Sequence, residues 1–184
     1  MFKKIWRFIW HDDSILSWII NIILAFILVK FIIYPGLGLI FQTQLPVVAV
    51  VSGSMEHNSN FDNFWMRQGS WYESNGIIKK EFESFPLENG FNKGDIIFLY
   101  GNKNIRKGDV IVFKGNSQNP IIHRVVNVKQ DSYQTKGDNN PDSFKELGET
   151  NIKPEKVIGK AFLRIPYLGW VKIIFTDLIN IFRR

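Results

Sequence analysis

The chain reads as a mostly β protein: a compact antiparallel β domain behind one N-terminal transmembrane helix, with an interfacial helix at its C-terminus. Three observations predict this. An apolar run from Ile15 to Tyr34 stands near the N-terminus. Short β-branched segments follow, opened by Gly-Asp turns. No strong helical period interrupts them before Pro166.

Residues 1–14 are expected to be a cytoplasmic N-terminus, because Lys3, Lys4 and Arg7 precede the apolar run. Residues 15–35 form the expected anchor. The run Ile15 to Tyr34 is twenty residues long, which makes a helix about 30 Å long and matches a hydrocarbon core. Asn21 and Lys30 are its polar interruptions, and Lys30 lies where its stem can snorkel to the headgroups. Pro35 and Gly36 are expected to stop the helix. A cleaved signal peptide fits less well, since the core is too long and no small-x-small site follows it.

Residues 36–166 are the expected extracytoplasmic β domain. Leu45 to Val51 reads as a buried strand that ends at a Ser-Gly-Ser turn. Lys93-Gly94-Asp95 opens the strand Ile96 to Tyr100, and Lys107-Gly108-Asp109 opens Val110 to Phe113. These are two copies of one basic-Gly-Asp-strand unit. Ile121 to Val128 is a further strand, with Tyr133 to Lys136 as its hairpin partner, and Val157 to Ile165 is the last. The stretch 58–89 is a variable segment, read as a loop in which Trp65, Trp71, Tyr72 and Phe82 touch a membrane or partner or pack locally. Residues 167–184 are expected to be an amphipathic, membrane-associated segment closed by Arg183 and Arg184.

Composition narrows the function classes. The formal charge is +6, but no basic helix or basic-aromatic repeat accompanies it, so nucleic acid is not an expected partner. Much of the aromatic content, with sixteen Phe and six Trp, lies near the two ends, where a membrane interface could use it. The absence of cysteine excludes disulfides, thiol catalysis and cysteine-ligated zinc. Asp95, Asp109, Asp138 and Asp142 lack ligand spacing, and no phosphate-loop, Rossmann or HExxH pattern occurs, so neither metal nor cofactor is expected.

The candidate chemistry is nucleophilic. A serine hydroxyl needs an adjacent base. Ser54 follows a buried-looking strand and a glycine that permits a sharp turn, and Ser52 on the same turn can compete or help to hold an oxyanion. His123 lies within an apolar strand, where an imidazole is costly unless paired. Asp138 and Asp142 are the nearest downstream acids able to fix its tautomer, and both also suit ordinary Asx turns.

Taken together, the strings resemble type I signal peptidase, the membrane-bound serine protease that removes signal peptides from exported proteins. Ser52-Gly53-Ser54-Met55-Glu56 is similar to its nucleophile box, and Gly108 to Phe113 to its Gly-Asp strand. Ile122-His123-Arg124-Val125 resembles the base region of the archaeal and endoplasmic-reticulum branch, which carries histidine where most bacterial members carry lysine. Thr135 to Asn140 resembles that branch's acidic box, and Ile165 to Trp170 its closing segment. The resemblance implies Ser54 as nucleophile, His123 as base and Asp142 as orienting acid, with Asp138 auxiliary. It also implies a serine endopeptidase that cleaves preproteins after small residues at P1 and P3. Expected partners are signal peptides, membrane lipid and the secretion translocon, and an archaeal source is preferred. His57 stands where the family usually has proline, and ranks below His123 as a base. The alternative is a noncatalytic membrane-anchored β module that binds peptides or a secretion complex.

Overall fold

The computed structural model describes residues 2–58, 60–101 and 104–182. Arg183 and Arg184, read above as a basic end, lie outside the described residues. Two compact units divide the chain, 1–40 and 41–184.

The first unit is helical. α1 (Phe2–His11) precedes α2 (Ile15–Leu28). Ser14 caps α2, its side chain accepting from the Ser17 amide. Polar atoms inside the apolar run have work to do here. Ser17 Oγ donates to the Phe8 carbonyl at 2.7 Å, and Asn21 Nδ2 donates to the Ile9 carbonyl at 2.9 Å. Both occupy carbonyls at the end of α1 that have no helical partner.

The helix does not stop at Pro35. Val29–Ile33 forms one π-helical turn, and α3 (Tyr34–Phe41) continues beyond it. A proline within a helix lacks an N–H and clashes with the carbonyl four residues back. The wider turn, in which the Tyr34 amide donates to the Val29 carbonyl, accommodates that defect. The continuous helix Ile15–Phe41 is long and apolar enough to cross a membrane, and little of it is buried. This is consistent with a single membrane-spanning segment.

The second unit is built on one open, six-stranded antiparallel sheet: β1 (Val47–Ala49), β2 (Ile96–Tyr100), β3 (Val110–Phe113), β4 (Ile121–Val128), β5 (Tyr133–Lys136) and β6 (Val157–Ile165), in the order β1-β2-β6-β3-β4-β5. All four residues of the central β3 are buried. Val110 and Val112 join a core with Val50, Met55, Phe91 and Leu99. Ile111 and Phe113 join another with Val125, Ile152 and Val157. The period of two thus sends alternate residues into different cores.

The two basic-Gly-Asp units fold alike. The Asn92 amide donates to Asp95 Oδ2, and the Arg106 amide donates to Asp109 Oδ2, both at 2.8 Å. Gly94 and Gly108 take φ of +92° and +93°, which L side chains rarely adopt. Each aspartate then reaches a cation on β6: Asp95 with Arg164, Asp109 with Lys160.

The mostly β expectation is overturned. Helices make up roughly 39% of the chain and strands 20%. The segment 58–89 folds as α4 (Phe61–Ser74) and α5 (Lys79–Phe82). Phe61, Phe64, Trp65 and Tyr72 fall at helical spacing, and Asn60 caps the start by accepting from the Asn63 amide. Gly69 costs helix propensity, but the Trp65 indole lies where its Cβ would be. The helix buries Phe64 and Tyr72 against Ile77, Phe82, Phe85 and Val126. α6 (Trp170–Phe182) ends the described chain, with Ile173 buried and Val171, Ile174, Phe175 and Leu178 exposed.

Candidate active site

The chain leaves β1 into a turn in which the Glu56 amide donates to the Gly53 carbonyl at 3.2 Å. This places Ser54 and Met55 at the turn's centre. Met55 is fully buried in the sheet core and anchors the turn from below. From above, the Asn139 amide donates to the Ser54 carbonyl at 2.8 Å, and Asn139 Nδ2 to the Gly53 carbonyl at 3.2 Å. The Asp138 amide donates to Met55 Sδ at 3.3 Å. Ser54 is only partly exposed, while Ser52 is exposed, its Oγ 3.2 Å from Ser54 Oγ.

His123 pairs with Ile111 across β3 and β4 and is 3% exposed. Its Nδ1–H donates to Glu149 Oε1. That bond leaves Nε2 to accept from Ser54 Oγ at 2.9 Å. Gly137 makes the approach feasible, since a Cβ there would lie 2.8 Å from His123 Nε2.

Glu149 is fully buried. Its Oε2 accepts from the Phe144 amide at 2.7 Å and its Oε1 from Thr135 Oγ1 at 3.3 Å. Backbone bonds from the Glu149 amide to the Phe144 carbonyl and from the Thr135 amide to the Glu149 carbonyl fix its position beside β5. Gly148, at φ +80°, turns the chain into it.

The two aspartates expected near His123 lie elsewhere. Asp142 Oδ1 accepts from Trp71 Nε1 at 3.0 Å and from the Ser143 amide at 2.7 Å, on the exposed side of the loop. Asp138 is fully buried among other donors. Arg124 Nε donates to its Oδ1 at 2.9 Å and Nη2 to its Oδ2 at 2.8 Å, a two-pronged pair. Tyr72 Oη also donates to Oδ1, and His57 Nε2 to Oδ2, both at 2.9 Å. The remaining Arg124 N–H groups reach the carbonyls of Pro86, Leu87 and Gly108. Burial pushes the Asp138 carboxyl up, but Arg124 and His57 overcome it and hold the group well below the usual carboxylate range. Burial, reinforced by Asp138, pushes the Tyr72 hydroxyl well above its ordinary value.

His57 is therefore a buried histidine paired with Asp138, its ring stacked on Phe64 at 3.6 Å between centroids. It does not face Ser54 through a hydrogen bond, and its Nδ1 has no hydrogen-bond partner among the described residues.

Sequence reasoning missed Glu149. It stands in Lys145-Glu146-Leu147-Gly148-Glu149-Thr150, which has no strand or helix period. The only local signal is a glycine before an acid, too common to select it.

No family model matches the chain. It is similar to the signal peptidase complex catalytic subunit SEC11C of Homo sapiens and of Mus musculus, at 30% identity over 156 residues, covering 79% of this chain and 65% of theirs. It is also similar to the subunit SEC11 of Fusarium vanettenii, at 27% identity over 158 residues, covering 80% of this chain and 73% of that one. The chain spans about 65% of the length of the mammalian relatives. These relatives are catalytic subunits of the signal peptidase complex, and the likeness extends over about four fifths of this chain.

Proposed function

We propose that this protein is a membrane-anchored serine endopeptidase that removes signal peptides from preproteins by acyl transfer. The observation that carries the reading is the chain of contacts from Ser54 Oγ to His123 Nε2 and from His123 Nδ1 to Glu149. Similarity to catalytic subunits of the signal peptidase complex supports the substrate class.

In this mechanism His123 Nε2 takes the Ser54 proton as Oγ attacks the scissile carbonyl. The imidazolium then gives that proton to the leaving amine. Water, deprotonated by the same nitrogen, attacks the acyl-enzyme and frees Ser54. Glu149 holds the tautomer and stabilises the transient imidazolium. Its other donors, Thr135 and the Phe144 amide, are neutral, so its charge is not spent on another cation. The Ser52 hydroxyl, beside Ser54 Oγ, is the candidate side-chain donor to the oxyanion.

β1 is an edge strand of the sheet and leads into the Ser54 turn. An extended substrate segment would add to that edge through its backbone, with small side chains before the scissile bond. The apolar helix before the domain keeps the site on the membrane where preproteins emerge. The N-terminus would be cytoplasmic and the catalytic unit extracytoplasmic, with α6 lying on the lipid surface through its exposed apolar residues. Glu149 takes in this reading the orienting role that the sequence resemblance gave to Asp142.

The test is cleavage of a preprotein by the full-length protein in lipid vesicles, beside the variants Ser54→Ala and His123→Ala. Both variants should lose turnover. Binding without cleavage by the unaltered protein would instead favour a noncatalytic peptide-binding module.

A further inference from the structure

Lys136 is a buried cation that the mechanism above does not use. It ends β5, opposite Arg124 on β4. Its Nζ donates to Gln68 Oε1 on α4 and to the carbonyls of Gly137 and Asp138, each at 3.2 Å. The rings of Trp71 and Tyr72, also on α4, lie 5.0 and 4.7 Å from Nζ. All three acceptors are neutral. An ammonium has three N–H donors, and two of these go to the loop and one to the helix. A neutral amine keeps two donors and turns a lone pair toward a carbonyl, and the attraction to both rings is lost.

The loop so held is the one that shapes the candidate site. Gly137 lies against His123 Nε2, and the Asp138 and Asn139 amides bind Met55 Sδ and the Ser54 carbonyl. α4 touches the same stretch again through Tyr72 to Asp138 and Trp71 to Asp142. We propose that Lys136 is a positioning residue, whose ammonium clamps α4 to the Gly137–Asn139 loop and so holds Ser54 in register with His123. The inference rests on the endopeptidase reading.

The clamp works only while Lys136 is protonated. Burial pulls it down to about 8, against the opposing pull of Asp138, Asp142 and Glu149, and Arg124 adds to the lowering. Of the groups facing it, Asp138 is held well below and Tyr72 well above their ordinary values, and Arg124 is raised. Activity should therefore fall as pH rises through the Lys136 value.

The test measures kcat and KM for preprotein cleavage by the full-length protein in lipid vesicles, from about pH 6 to about pH 10, for the unaltered chain, K136R and K136M. The unaltered protein should lose kcat with a single-proton midpoint near 8, while KM changes less than about twofold. K136R keeps its charge and should move that midpoint up by more than about one pH unit. K136M should have kcat lowered about tenfold at neutral pH, with no midpoint near 8. A purely structural role would lower the melting temperature of K136M without moving the midpoint. K136M with unaltered kcat and profile overturns the inference. If K136M does not fold, K136R decides, and a midpoint still near 8 overturns it. An unaltered chain that cleaves no preprotein at any pH removes the endopeptidase reading, and the inference with it. Cleavage with an unshifted K136R profile removes the inference alone.

Discussion

The second unit holds two buried histidine–carboxylate pairs, His123 with Glu149 and His57 with Asp138, and they are built for different ends. Both histidines are 3% exposed and both acids are fully buried. Glu149 accepts otherwise from neutral donors, so its charge is free to favour an imidazolium. Asp138 is already neutralised by the fork of Arg124. The far nitrogen of His123 meets a hydroxyl at 2.9 Å, whereas that of His57 meets no hydrogen-bond partner among the described residues and its ring lies flat on Phe64. A histidine beside a carboxylate is thus not a site in itself. The other nitrogen, and the charge the acid has left over, decide its use.

The largest expected difference between the pairs is in turnover. His123→Ala should lower kcat/KM by roughly 10³-fold or more in a preprotein cleavage assay. His57→Ala should leave kcat/KM within about tenfold, because its ring donates to no reacting atom. Its cost belongs to stability, about 1–3 kcal/mol in denaturant unfolding, from a lost stack and an emptied space. Equal loss of turnover in the two variants would erase the distinction.

The next difference is in stability. Asp138→Asn leaves Arg124 buried without its counter-charge and should cost about 3–5 kcal/mol in a urea titration at neutral pH. The pH dependence has a definite sign. Because the folded-state value is depressed, the stabilisation from Asp138 is fully present above the ordinary carboxylate value of about 3.9. It is lost as pH falls from there toward the depressed value. The gap in stability between the unaltered protein and Asp138→Asn should therefore narrow in acid. A gap of constant size would detach the Asp138 charge from the fold.

Much of this comparison was legible in the sequence, and the reason is locality. Ser54 sits in a short string after a strand, and His123 sits inside a strand whose apolar neighbours make a lone imidazole conspicuous. The two Gly-Asp turns were equally plain, since glycine at positive φ and an aspartate closing its own turn are local chemistry. Glu149 was not legible. It reaches His123 only because the chain returns beside β5, through bonds between Thr135, Phe144 and Glu149 that no local pattern encodes. α4 was missed for a related reason. Its aromatic residues hold helical spacing, but an interior glycine and many polar side chains concealed the period. The helix is stabilised by what it packs on and grips, including Asp138, Lys136 and the His57 carbonyl. A fold expected to be mostly β therefore acquired a helical buttress at its candidate site.

The smallest expected effect concerns Trp71→Phe. It removes the indole donor to Asp142 while keeping a ring near Lys136, and should change kcat/KM by less than about threefold. A larger loss would give Asp142 a weight that its exposed position does not suggest.

The most direct measurement compares kcat/KM for preprotein cleavage by Glu149→Gln and Asp142→Asn in the same vesicles. With Glu149 orienting His123, Glu149→Gln should lose about 10²- to 10⁴-fold, mainly in kcat. Asp142→Asn should stay within about threefold of the unaltered protein. The reverse result, with Asp142→Asn crippled and Glu149→Gln active, would contradict the assignment of Ser54, His123 and Glu149 as the working set.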